Sequence, residues 1–306
     1  MNTQNQSNNS FFGGLLGKPT KEKYAGVAFS LAVVAPVVTT LLFMLVGGAF
    51  GVFSEGYENA EWYKYAGFLL SQFAFALVAA FHFAYSKQPL SLVTGKPKGK
   101  YFLLAILLQL GLLSLSEVNG WFLQFLERFG YEMPEMNIPS LDGFGIVGAI
   151  AVVALLPAVF EETIFRGILR VGLSSFPLWA SALLSGALFA LFHMSPAQTL
   201  YQFACGACFA LVAIRSGSVL PTVLSHFLNN AAILLFMKFG FNGLPVGWNV
   251  AALILSALCL LGTLSYLIFF DKAKEPAEEK ADIKGFFLCA SVGVVICLIT
   301  WIAGLF

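Results

Sequence analysis

Eight long stretches without a charged side chain dominate this sequence and limit how it can fold. They are Tyr24–Ser54, Tyr65–Ser86, Tyr101–Ser116, Gly143–Phe160, Val171–Ile214, Ser216–Met237, Phe239–Phe270 and Gly285–Phe306. A helix that crosses a bilayer needs about 20 mostly apolar residues. Only 11% of the chain is charged, whereas a soluble domain is about one quarter charged. The sequence therefore indicates a polytopic membrane protein.

The lengths of these stretches predict the number of helices. Val171–Ile214 is long enough for two, and we expect them to separate at Ser195-Pro196 because proline interrupts a helix. The third stretch is short, and we expect its helix to continue past Glu117 toward Leu126. All the runs are too long and continuous for barrel strands. The prediction is an all-α membrane helix bundle with about nine transmembrane helices.

The lysines and arginines predict the orientation of the bundle. If the N-terminus is inside, three cations, Lys64, Arg128 and Lys238, lie in outer segments. The other fourteen lie in inner segments: Lys18, Lys21, Lys23, Lys87, Lys96, Lys98, Lys100, Arg166, Arg170, Arg215, Lys272, Lys274, Lys280 and Lys284. Inner loops of membrane proteins are enriched in lysine and arginine. We therefore expect the N-terminus inside, the C-terminus outside and a location in the plasma membrane.

Three charged side chains, Glu161, Glu162 and Arg166, lie within six residues after the fourth stretch. A charged side chain inside the bilayer costs free energy. Glu162 and Arg166 are four residues apart, so they share a helical face and can pair. Glu161 lies roughly 140° from Arg166 at 100° per residue and points elsewhere. The alternative is that the helix ends at Phe160 and the charges lie among headgroups. The residues between and after the charges are apolar, which favours a continuing helix with Glu161 as a free carboxylate able to act as a general base.

Two of the three histidines have a companion on the same helical face. Phe189 lies four residues before His193, and Asn230 lies four residues after His226. Depths counted from the helix ends allow these groups to meet the acidic pair near the middle of the membrane. The third histidine, His82, has no polar companion within a turn, and we interpret it as structural.

The other polar features predict no further chemistry. Cys205 and Cys208 have redox spacing but lie among small and aromatic residues of a membrane helix, which is typical of close helix packing. Five cysteines in apolar runs do not indicate a disulfide scaffold. A net charge of +1 gives no field that would hold a nucleic acid.

Three motifs occur in order on consecutive membrane segments: EETIFR at 161–166, FALFH at 189–193 and HFLNN at 226–230. The chain contains no HExxH motif, no aspartate within a span and no GxSG-type serine, which excludes several other intramembrane proteases. The motif set resembles the CPBP family. This family of membrane proteases includes the type II CAAX prenyl endopeptidases and the bacteriocin-processing or immunity proteins.

The resemblance implies a glutamate-dependent intramembrane endopeptidase. By that resemblance Glu161 activates water with the help of His193, while His226 and Asn230 polarise the scissile carbonyl. Glu162 also belongs to the catalytic set, and Arg166 and Phe189 orient it. The implied substrate is a peptide or protein that is prenylated or membrane-spanning, and the lipid bilayer is the surrounding partner.

Two questions stay open from the sequence. Glu161, His193 and His226 are a set of ligand types that could hold Zn²⁺, although direct activation of water by Glu and His needs no metal. The alternative functions are a non-catalytic immunity or scaffold protein and a proton-coupled transporter that uses Glu161 and His226 as relay groups.

These patterns divide the chain into four parts. Residues 1–23 form a disordered inner tail, and residues 24–142 hold helices 1–3 with an outer interfacial loop. Residues 143–237 form the CPBP-like catalytic core, and residues 238–306 hold helices 8–9.

Overall fold

The part of the chain that the structure describes forms a bundle of nine apolar helices. The computed structural model describes residues 18–134, 137–241, 246–271 and 280–306, and most of the expected N-terminal tail lies outside them. The described residues contain helices and connecting segments but no strand, as predicted. The helices are α1 Lys21–Ala49, α2 Glu61–Ser86, α3 Gly99–Glu127, α4 Gly145–Gly172, α5 Leu178–Phe192, α6 Pro196–Ser216, α7 Leu220–Phe239, α8 Asn249–Phe270 and α9 Ile283–Ala303.

Eight of the nine helices found in the described residues are long and apolar enough to cross a membrane, so the chain is a multi-pass integral membrane protein. The exception, α5, has only 15 residues, which differs from the nine full spans expected. It ends at Phe192, because Met194 has a φ of +50° and Pro196 follows soon after. As expected, α3 continues past Glu117 and reaches Glu127.

The first and last helices run side by side in the same direction. Just before them, the Thr20 hydroxyl donates to Asp282 Oδ2 at 3.0 Å. Further along, the Ser30 hydroxyl donates to the Cys289 carbonyl at 2.7 Å and accepts from the Gly293 N–H at 3.1 Å. We call the end of the bundle marked by Thr20 and Asp282 the basic end. The start of α1 and the end of α9 therefore lie at opposite ends of the bundle.

Short as it is, α5 runs between those two ends. Just before it, the Ser175 hydroxyl donates to Glu22 Oε1 at 3.0 Å, at the basic end. Just after it, Trp301 Nε1, near the end of α9, donates to the Thr199 hydroxyl at 2.8 Å. The residues on either side of α5 are thus tied to opposite ends of the bundle.

Helix α4 carries the charged triplet and is packed from several sides. It does not end at Phe160 but continues to Gly172, which excludes the alternative that the helix stops before the charges. Two π-helical segments, Ile150–Leu155 and Thr163–Ile168, interrupt its α-helical geometry. Around the second segment lies a buried apolar cluster with residues from α1, α2, α4, α5 and α9, among them Phe29, Phe75, Phe165, Phe189 and Phe286.

Candidate active site

A buried ionic cluster lies at the centre of the site. Arg166 Nη1 donates to Glu162 Oε1 at 3.0 Å, and both side chains are fully buried. The same carboxylate oxygen accepts from His226 Nδ1 at 2.9 Å. The pairing expected from the four-residue spacing is therefore present, and His226 joins it from α7. One carboxylate links α4 to α7 through two charge-assisted hydrogen bonds.

Aromatic rings surround the Arg166 guanidinium. Its central carbon lies 4.0 Å from the centre of the Phe189 ring, 5.5 Å from that of Phe209 and 5.8 Å from that of Phe165. Arg166 Nε and Nη2 have no hydrogen-bond partner among the described residues. A guanidinium is attracted to the face of an aromatic ring, so these rings help to hold the charge in an otherwise apolar region.

Phe189 connects the two histidines. Its carbonyl accepts from His193 Nδ1 at 2.8 Å, which leaves Nε2 as the free nitrogen of that ring. The Phe189 ring centre lies 4.6 Å from the His193 ring and 6.3 Å from the His226 ring, edge-on in both cases. The spacing FALFH thus places one phenylalanine against Arg166, His193 and His226 together.

Glu161 differs from its neighbour Glu162 in exposure and in hydrogen bonding. It is partly exposed, and among the described residues no hydrogen bond or ion pair engages its carboxylate. It remains within electrostatic range of His226 and Arg166. Glu161 is therefore the acidic side chain of the site that is free to meet a ligand.

Asn230 is held by an amide network that the sequence reasoning did not identify. Its Nδ2 donates to the Val153 carbonyl at 3.2 Å, in the first π-helical segment of α4. Its Oδ1 accepts from Asn229 Nδ2 at 3.1 Å. Asn229 Oδ1 in turn accepts from Gln109 Nε2 at 2.7 Å and from the Tyr201 hydroxyl at 3.1 Å.

This network brings α3 and α6 into the support of the site. An amide within a membrane helix is an unusual and informative residue, so Gln109 was recognisable in the third charge-free stretch. Tyr201 carried no comparable signal, because nine tyrosines occur along the chain.

Two features interpreted as structural are packed accordingly. Cys205 and Cys208 are both buried, free thiols, and Gly206 between them allows α6 to approach α5 closely. A Cβ at Gly206 would lie 2.7 Å from Gly186 Cα and 3.1 Å from Phe189 Cβ. His82 is buried, with Nε2 3.4 Å from Gln88 Oε1.

Glu161, His193 and His226 offer the ligand types of a zinc site. Within the described part of the chain, no group of three or more His, Cys, Asp or Glu side chains is placed to hold a metal ion. The Nδ1 atoms of His193 and His226 are both engaged by protein oxygens, so Nε2 is the nitrogen of each ring that is left for a ligand. Because no such group contains Glu161, His193 and His226, the arrangement as it stands does not fit the three-ligand His₂Glu site of zinc enzymes.

The fold and the site define a class: a multi-pass membrane protein with an ionic cluster inside its helix bundle. Residues 143–232 match a family model described as "Rce1-like: Type II CAAX prenyl endopeptidase Rce1-like". This similarity covers less than a third of the chain, and it supports a membrane protease. The search of curated proteins returned no match, and neither did the search of solved structures.

Proposed function

We propose that the protein is an intramembrane endopeptidase that hydrolyses a peptide bond of a lipidated or membrane-associated substrate. The observation that carries this proposal is that the family match and the buried polar contacts fall on the same segment of the chain. The family match spans residues 143–232, and all three motifs with their buried contacts fall within that range. A protease family and a polar intramembrane cluster on the same segment support one function.

Glu161 is proposed as the general base. Its carboxylate is partly exposed and not engaged by described side chains, so it can accept a proton from a water molecule. His193 assists through Nε2, because its Nδ1 is occupied by the Phe189 carbonyl. The water oxygen attacks the scissile carbonyl carbon, and the proton taken by Glu161 passes to the leaving amine as the C–N bond breaks.

His226 and Asn230 are proposed to stabilise the oxyanion that forms on the attacked carbonyl. Since His226 Nδ1 donates to Glu162, Nε2 is the ring atom that can meet the substrate, and it donates when the ring is protonated. Asn230 Nδ2 has two hydrogens, of which one is used by the Val153 carbonyl. In other enzymes one such donor contributes about 3–4 kcal/mol to transition-state stabilisation.

Glu162 and Arg166 are proposed as positioning residues. Both are fully buried and bound to each other, so neither is available to a substrate as it stands. Glu162 fixes the His226 ring, and Arg166 packs against Phe189, whose carbonyl fixes His193. The pair therefore orients both histidines without contacting the reacting atoms.

The test is mass spectrometry of the products formed from a panel of prenylated and unprenylated peptides. Purified protein is compared with Glu161→Gln and with Glu117→Gln, a matched change at an exposed glutamate of α3. We expect cleavage by the wild type and by Glu117→Gln, and none by Glu161→Gln. Products that depend on the prenyl group would identify CAAX processing. Equal background products from all three proteins would overturn the proposal and favour an immunity or scaffold role.

A further inference from the structure

A polar cavity lies at the basic end of the bundle, where Ser174 lines it beside the Ser175–Glu22 hydrogen bond. Its volume is about 650 Å³. Its wall combines three lysines, two arginines and one aspartate: Lys96, Lys98, Lys100, Arg170, Arg215 and Asp271. None of the motif residues Glu161, His193, His226 or Asn230 lines it. It is therefore a separate site with its own chemistry.

The positive charge of this cavity is only partly neutralised. Lys100 pairs with Asp271 at 3.0 Å. For Lys96, Lys98 and Arg170, the described residues provide no carboxylate as an ion-pair partner. Three cations around one cavity, without an acidic partner in the described structure, favour an anionic ligand.

Arg170 is already oriented for such a ligand. Its Nε donates to the Arg166 carbonyl at 2.9 Å, and its Nη2 donates to the Leu92 carbonyl. Both acceptors are neutral, so these bonds fix the guanidinium plane while its charge remains available. A fixed guanidinium is well suited to the oxygens of a phosphate group.

The surroundings of the cavity indicate that the anion belongs to a lipid. Leu92 lines the cavity and is 47% exposed, and the nearby Leu90 is 56% exposed. Acyl chains have an apolar surface to lie on beside the cationic wall. All five cations of the wall also belong to the segments that the positive-inside pattern assigns to the inner side, and anionic lipids are concentrated in the inner leaflet.

We propose that this cavity binds the phosphate headgroup of an anionic phospholipid. Lys96, Lys98 and Arg170 contact the phosphate, and the Ser91 and Ser174 hydroxyls, which also line the cavity, donate to its oxygens. The exposed leucines contact the first part of the acyl chains. This assignment does not depend on the proposed peptidase activity.

The test measures lipid retained by the purified full-length chain, using native mass spectrometry after equilibration in mixed micelles of phosphatidylglycerol and phosphatidylcholine. The double variant Lys96→Gln/Lys98→Gln is compared with Lys87→Gln/Lys284→Gln. The control pair removes the same charge from exposed lysines that do not line the cavity. One lysine near an anionic surface is worth about fivefold in affinity. We expect the cavity variant to bind phosphatidylglycerol about 25-fold more weakly and the control variant to bind like the wild type.

Three results would overturn this proposal. The first is that the wild type retains both lipids equally. The second is that the two double variants lose phosphatidylglycerol to the same extent, which would mean a non-specific surface effect. In the third, inorganic phosphate alone would bind as tightly as phosphatidylglycerol and displace it, which would identify a site for free phosphate. Thermal unfolding of both variants, measured alongside, checks that the lysine substitutions leave the fold intact.

Discussion

At the scale of single residues, two adjacent glutamates have opposite environments. Glu162 is fully buried and bound to Arg166 and His226 through one oxygen. Glu161 is partly exposed, and no described side chain binds its carboxylate. Identical side chains in different surroundings commonly have different roles in an active site. The difference separates a positioning residue from a reacting one.

Matched substitutions at these two positions give the first prediction. Glu162→Gln leaves the Arg166 charge buried without its partner, and breaking a buried pair in this way costs about 3–5 kcal/mol. Glu161→Gln removes no described contact, so its Tm should stay near that of the wild type while peptide cleavage is lost. Thermal unfolding in detergent and the peptide assay measure both effects. Equal Tm values for the two variants would contradict the structural role of Glu162.

At the scale of helices, close backbone contact between α5 and α6 determines where Phe189 lies. Gly186 and Gly206 face each other, and a Cβ on either would lie within 3 Å of backbone atoms of the other helix. Small residues allow membrane helices to approach in this way. Phe189 is next to this contact and carries the carbonyl that orients His193.

The second prediction concerns this contact. Gly206→Ala should force the helices apart and destabilise the protein by about 1–3 kcal/mol, the usual cost of overpacking. Cleavage should fall as well, because Phe189 moves with α5. Gly262→Ala is the control: Gly262 lies in α8 with no atom within 4 Å of the added Cβ. The two variants are compared by thermal unfolding and by peptide cleavage. A Gly206→Ala variant that behaves like Gly262→Ala would refute this account of the packing.

At the scale of the whole molecule, contacts between distant parts of the chain define two ends of the bundle. The parallel course of α1 and α9 places the start of α1 and the end of α9 at opposite ends. The positive-inside pattern then predicts which end faces inward. The orientation with the N-terminus inside and the C-terminus outside remains a prediction. The parallel course of α1 and α9 gives a geometric reason to expect the two ends on opposite sides of the membrane.

Cysteine accessibility provides the third prediction. Lys18→Cys and Phe306→Cys place a thiol at exposed positions near the two ends. A membrane-impermeant maleimide applied to right-side-out vesicles should label Phe306→Cys and not Lys18→Cys, and the pattern should reverse in inside-out vesicles. The unsubstituted protein provides the background from its five native cysteines. Labelling of both positions from one side would contradict the predicted topology.

What the sequence determined by itself follows from local rules. Apolar length predicted an all-α bundle, and the four-residue spacing predicted the pairing of Glu162 with Arg166. The motif order predicted the family domain that the comparison found at residues 143–232. The first two properties depend on hydropathy and helical periodicity, both of which involve residues within a few turns of one another. The third follows from the resemblance of the motifs to a known family.

Only the tertiary structure decided how these groups meet. His226 binds Glu162 across 64 positions of the chain, and Gln109 binds Asn229 across 120. The early end of α5 and the π-helical segments of α4 also went unpredicted. The angle between Glu161 and Arg166 had been derived from a uniform 100° per residue, which does not hold through the π-helical segment Thr163–Ile168. Contacts between helices depend on how whole faces pack together, and no local spacing rule contains that information.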